Sequence, residues 1–330
     1  MTTTKRIALV QAPPVLLDRS ATLQRALDWV DQAAEGGAGL VAFPEAFVPG
    51  YPAWVWNLRA GLDRAELADL HLELQKQAVD LQSDMLDELR QRAAQRQVVI
   101  GIGINELDSQ GGRATLYNSY LLIGTDGGTL LHHRKLIPTN PERTIWGRGD
   151  GSGLRVVDTP VGRVGVLLCW ESYMPLARAA LYDQGLDIYL APTWDRGPRW
   201  EHTMHHIASE SGAWVASVAS AMGASDLPER LKSHASEFER PGGSMVIQPF
   251  GDAIVGPVNG EVGLVYGDLD LDEVKRSRRS LDVAGHYGRP DLFQLQVDRR
   301  RMTTATFLDD ELPASDRKPA RPGSSFLIAP

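Results

Sequence analysis

Short apolar runs alternate with stretches of helical spacing along most of this chain. "IALVQA" predicts a first strand. "SATLQRALDWVDQAAEGGAG" sets Leu23, Ala26, Leu27, Val30 and Ala34 at helical spacing, with Ser20 placed to cap the start and Gly36-Gly37 to stop it. "LVAF" predicts the next strand, closed by Pro44, and an aromatic loop "VPGYPAWVWN" follows. "LADLHLELQKQAVDLQSDMLDELRQRAAQRQ" is helical and long enough for two helices. "VVIGIGINE" and "YNSYLLIGTDGG" predict strands, the second turning at Asp126-Gly127-Gly128.

The second half repeats the alternation. "LRVVDTPVGRVGVLLC" predicts a hairpin turning at Pro160 to Gly162. Then come a helix in "LARAALYDQG", a strand in "DIYLAPT", a helix in "WEHTMHHIASESG" and a strand in "WVASVAS". "GSMVIQPFGDAIV" and "GLVYGDLD" close the regular part. Strands that alternate with helices, interrupted by hairpins, predict an α/β layered fold with mixed sheets. No Pro/Gly/Ser linker divides the chain. Residues 1–300 are therefore expected to form one domain, followed by a polar, Pro-rich tail over 301–330 that is available for subunit contacts.

Composition narrows the function. The formal charge is -8, from 34 basic and 42 acidic side chains, and no long basic run occurs, which argues against a nucleic-acid partner. No apolar stretch approaches the length of a membrane span. "MTTTKRIALVQAPP" has too short an apolar region for a signal peptide, so a cytosolic protein is expected. Cys169 is the only cysteine, so neither an internal disulfide nor a thiolate zinc cage is available. It is either a small buried hydrophobe or a reactive thiol.

Its place in the pattern bears on that choice. Cys169 ends the run Val164 to Leu168, and Pro175 suits the first turn of the helix that follows. Unpaired backbone N–H groups at a strand-to-helix turn favour a thiolate. A nucleophilic thiol needs a base. The eight histidines offer no diagnostic spacing. Glu45 and Lys135 each lie just past a predicted strand end, as Cys169 does. A buried glutamate can take a thiol proton, and a lysine beside it can offset developing negative charge. On residue type alone, a loop glutamate and a solvated lysine explain the same positions.

The segments "FPEAFVPGYP", "HHRKLIPTNPERTIWGRGDG" and "VGVLLCWESYMPLAR" resemble those of the nitrilase branch of the carbon–nitrogen hydrolase superfamily. "APTWD", "HIASESGAWV" and "DVAGHYGRPD" resemble its later blocks, and the match runs from about Ile7 to Asp298. The resemblance implies a four-layer αββα sandwich with a catalytic Glu45, Lys135 and Cys169, and a second glutamate, Glu142, that orients Lys135 or water. It also implies a small-molecule nitrile as substrate, no cofactor, no metal, and self-association to dimers and larger spirals or filaments.

"CWE" at Cys169 to Glu171 is similar to nitrilases, whereas many amidases of the superfamily carry Tyr-Asp after the cysteine. Cyanide dihydratase and aliphatic amidase are the nearest alternatives; a catalytically silent assembly protein is the alternative of another class. Tyr51, Trp54, Trp170 and Trp194 are the candidate substrate-binding residues. An apolar wall of Tyr51, Trp54 and Trp194 would favour an aryl or arylalkyl nitrile. His202 and His206 stand four apart on a predicted helix without a third ligand, and "GIGINE" lacks the third glycine of a dinucleotide loop. Both are read as packing or solvated features, as is the basic "RSRR" near Lys275.

Overall fold

A computed structural model describes residues 4–303 and 305. In chain order its regular elements begin with β1 (Thr4–Gln11), α1 (Arg19–Glu35), β2 (Leu40–Ala42), α2 (Arg64–Gln77), α3 (Asp87–Arg96), β3 (Val99–Leu107), β4 (Leu116–Ile123) and β5 (Thr129–Arg134). They continue with β6 (Val156–Thr159), β7 (Gly162–Val166), α4 (Pro175–Tyr182), β8 (Ile188–Thr193), α5 (Pro198–Ser211), β9 (Trp214–Ala219) and β10 (Ala221–Met222). The last are α6 (Ala235–Phe238), β11 (Arg240–Ile247), β12 (Ala253–Asn259), β13 (Gly263–Asp270) and α7 (Asp272–Ser280).

The strands form two sheets. One has the order β13-β1-β2-β3-β4-β5; the other runs β10-β11-β9-β8-β7-β6, with β12 added through β11. Neighbours β1, β2 and β3 are parallel, as are β7, β8 and β9. The remaining pairs are antiparallel, so both sheets are mixed, as the intervening hairpins predict.

Alternation along β1 shows the layering. Ile7 and Leu9 face Val164, Val166, Ile188 and Leu190 across the interface between the sheets. Ala8 and Val10 point the other way, toward Ala26, Leu27 and Val30 of α1 and Ala93 of α3. The second sheet does the same: Tyr189 and Val215 pack on Leu181 of α4 and on Met204 and Ile207 of α5. Helix, sheet, sheet and helix make the αββα sandwich. With both faces covered, the central strands are apolar at consecutive positions rather than at every second one.

Helix α1 begins two residues earlier than Ser20 would set it. Asp18 is extended and its carboxylate accepts the Ala21 N–H at 2.9 Å. Ser20 lies inside the helix. The contacts group the chain through Arg300 as one unit. The tail expected over 301–330 lies almost wholly outside the described residues. No helix among the described residues is long and apolar enough to cross a membrane.

Candidate active site

Parallel strands deliver their successors to one edge. β2, β7 and β8 end there, and β5 runs in the same direction as β2 through two antiparallel steps. Glu45 follows β2, Lys135 follows β5, Cys169 follows β7, and Thr193 ends β8. Sites in α/β sheets gather beyond such carboxyl ends.

The turns are tight. Cys169 has φ of +49° and Ala46, next to Glu45, has φ of +50°. Non-glycine residues visit this region at a cost, so the surrounding structure must hold them there. Gly103 of β3 lets the Glu45 turn settle onto the sheet: a Cβ there would stand 2.3 Å from the Pro44 carbonyl oxygen. This accounts for the second glycine of "GIGINE"; the first, Gly101, makes room for the Tyr120 side chain.

Glu45, Lys135, Glu142 and Cys169 are all buried. Lys135 Nζ donates to Glu45 Oε1 at 2.7 Å and to Glu142 Oε2 at 2.8 Å. Glu45 also accepts from Asn118 Nδ2 at 2.8 Å and, on its other oxygen, from the Trp194 N–H at 2.9 Å. Glu142 accepts the Thr139 N–H and the Tyr51 hydroxyl, each at 2.6 Å. Thr193 Oγ1 lies 3.3 Å from the Cys169 sulfur, so consecutive residues of one strand end hold the sulfur and Glu45.

Two carboxylates share one ammonium, and all three side chains are closed off from bulk solvent. Burial raises the Glu45 pKa, Lys135 opposes that rise, and Glu142 adds to it. Burial alone would lower Lys135, but Glu142 and Glu45 outweigh it and keep the ammonium charged. Burial and the nearby Glu45 push the Cys169 thiol up. Desolvation thus works against the thiolate that the strand-to-helix turn favours.

A cavity of about 150 Å³ opens onto Cys169 and Glu142. Tyr51, Trp56, Trp170 and Trp194 line it, as do Asp195, Arg196 and Arg240. The Tyr51 and Trp194 rings stack with centroids 4.5 Å apart and planes 6° from parallel. Trp170 donates its indole N–H to Asp195 at 2.7 Å. Trp54, expected in the same wall, does not line the cavity. It is 0% exposed and packs behind the wall against Phe238, while Trp56 takes its place. The 3-10 turn Ala53–Trp56 buries one tryptophan and presents the other.

Residue type and spacing gave no sign of Asn118, Thr193, Arg196 or Arg240. Glu171 and His133 were also missed. Glu171 accepts the Leu168 and Leu136 N–H groups at 2.6 Å each and pairs with His133. Its position two residues after Cys169 was the available signal. Among the described residues, no three His, Cys, Asp or Glu side chains stand together as a metal site would require.

The carbon-nitrogen hydrolase family model matches residues 6–279. The chain is 37% identical to nitrilase 3 of Arabidopsis thaliana, over 95% of this chain and 92% of that one. It is 38% identical to an aliphatic nitrilase of Sinorhizobium fredii (strain HH103), over 89% and 95% of the two chains. The NitFhit protein of C. elegans shares the fold with a TM-score of 0.69 and 22% identity, over 92% of this chain and 69% of that one. With its sandwich fold and this similarity along nearly its whole length, the chain belongs to the carbon-nitrogen hydrolase family, in the nitrilase branch, and is a hydrolase of carbon–nitrogen bonds.

Proposed function

We propose that this enzyme converts an organic nitrile to its carboxylic acid and ammonia through covalent intermediates on Cys169. The observation that carries this reading is the Cys169 thiol facing a small cavity, beside a buried Glu45 whose partner Lys135 is held by Glu142. Glu45 takes the thiol proton as the sulfur attacks the cyano carbon, and the nitrile nitrogen is protonated, giving a thioimidate. Lys135 and the Trp170 N–H offset the charge that develops. One water, activated by Glu45, adds to the carbon. Ammonia leaves, and a thioester remains. A second water releases the acid and restores the thiol. Glu142 orients Lys135. The sum is one nitrile and two waters giving one acid and one ammonia.

The cavity favours an aryl or arylalkyl nitrile. A volume of about 150 Å³ is enough to take up a benzene-sized ring, and the stacked Tyr51 and Trp194 offer a flat apolar wall.

A cytosolic setting and self-association belong to the same reading. Leu176 and Phe293 are 68% and 77% exposed beside a groove between α4 and residues 283–297, an apolar surface of the kind that subunit contacts cover. Light scattering after size exclusion reads the assembly; a monomer at working concentration would count against it.

Ammonia release from phenylacetonitrile, benzonitrile, an aliphatic dinitrile, cyanide and the matching amides tests the activity. Acid and ammonia from nitriles, abolished in Cys169→Ala, are expected. Turnover of amides alone would make the chain an amidase, and turnover of cyanide alone a cyanide dihydratase. Silence on all would leave an assembly protein. A Cys169→Ala enzyme that still hydrolysed nitriles would sink the mechanism.

A further inference from the structure

We propose that Arg240 and Arg196 form a carboxylate site in the cavity, so that the preferred nitriles carry an anionic group remote from the cyano carbon. This rests on the nitrilase reading and names the substrate class for that site.

Both arginines line the cavity that opens onto Cys169. Arg240 Nε donates to the Trp194 carbonyl at 3.2 Å and Nη1 to the Glu239 carbonyl at 2.7 Å. Arg196 Nη1 donates to the same Glu239 oxygen at 3.0 Å. Two guanidinium groups thus converge on one neutral acceptor, and among the described residues neither pairs with a carboxylate. Arg240 is partly buried and Arg196 is exposed at the mouth; the better-shielded Arg134 and Arg178 each carry a carboxylate, Glu106 and Glu210 respectively. Burial, and then the charge of Arg196, lower the Arg240 pKa to about 10. Asp195 and Glu237 act the other way, but neither forms an ion pair with Arg240. Asp195 is already engaged by the Trp170 indole.

Geometry fixes the cation. The Arg240 guanidinium stands 4.3 Å from the centroid of the Trp194 ring, which stacks in parallel on Tyr51. A held, planar, half-desolvated guanidinium with unspent N–H donors matches a carboxylate in shape and charge. An anion there would relieve the repulsion between the two arginines. The aromatic wall would take the body of the substrate, and its cyano carbon would reach Cys169.

The test compares matched pairs that differ by a carboxylate in place of a methyl group. Para-cyanomethylbenzoate is set against para-methylphenylacetonitrile, and cyanobutanoate against pentanenitrile. In the full-length enzyme, kcat/KM should favour the anionic member by about tenfold or more, the worth of a charge-assisted contact. The preference should act through KM and weaken with added salt. It should collapse in Arg240→Gln and in Arg196→Gln, and survive in part in Arg240→Lys. Equal or better turnover of the neutral members, or a preference that neither glutamine variant changes, would overturn the site. Calorimetry on Cys169→Ala with the same pairs reads binding without turnover. Tighter binding of the carboxylates supports the site even if no nitrile is hydrolysed, and equal binding removes it even if nitriles are hydrolysed.

Discussion

His133 Nε2 lies 2.9 Å from a carboxylate oxygen of Glu171, and both side chains are closed off from water. The same carboxylate accepts the N–H groups of Leu136 and Leu168. It ties the residue after Lys135 to the residue before Cys169. Glu171→Ala would leave three buried donors unpaired. We expect it to cost about 3–5 kcal/mol, the scale for breaking a buried charged network, in urea unfolding, and to lower kcat by loosening the Cys169 turn. Glu171→Gln, which keeps an acceptor oxygen, should lose less. An unchanged unfolding midpoint in Glu171→Ala would refute this.

The pH dependence follows from Glu45. A base must be deprotonated to act, so kcat/KM should fall as pH falls through the Glu45 pKa. Burial places that limb above the ordinary 4.5. Glu45→Gln should lower turnover by about 100-fold or more, the usual worth of a general base, and remove the limb. Alkylation of Cys169 by iodoacetamide at neutral pH should be slow in the native enzyme and slower still in Glu45→Gln. A limb at or below the ordinary value would show that Glu45 is not the titrating base.

Tyr51 joins wall to machinery. Its hydroxyl donates to Glu142 at 2.6 Å and accepts from the Trp56 indole at 3.2 Å, while its ring stacks on Trp194. Tyr51→Phe should keep the stack and lose the hydroxyl, reducing kcat with little change in KM for an aromatic nitrile. The stability loss should be about 1–2 kcal/mol. A rise in KM with kcat intact would instead assign the hydroxyl to substrate binding.

Acid stability reports on another buried carboxylate, Glu106. Burial raises Glu106, but His132 and Arg134 outweigh it and lower its pKa from 4.5 to about 2. A depressed folded pKa stabilises the protein fully above the unfolded value, and the gain is lost as pH falls through the folded one. About 3 kcal/mol should therefore disappear between pH 4.5 and pH 2. Glu106→Gln should be less stable at neutral pH and show a flatter acid limb in denaturant midpoints.

Particular residues show where local reading worked. The hairpin at Pro160 to Gly162, Pro175 at the first turn of α4, and the split of the long helical stretch into α2 and α3 follow from turn chemistry and periodicity. Ser20 was displaced by Asp18 because a cap depends on the backbone being extended at that residue, which spacing alone does not state. Trp54 and Trp56 are chemically alike and two positions apart. Only the sense of the turn Ala53–Trp56 decides which one meets the cavity.

By itself the sequence determined an α/β layered fold with mixed sheets, because covering both faces of a sheet leaves a pattern of apolar runs and helical stripes; the four-layer order was implied only by the resemblance. With the resemblance of its motifs, it also marked Glu45, Lys135, Glu142 and Cys169. Tertiary structure alone decided the direction in which Glu45, Lys135 and Cys169 shift, because burial and neighbouring charge set the cost of ionisation. It also decided the company they keep. Asn118, Thr193 and Arg240 reach the site from different strands, and sheet register, not local pattern, brings them there.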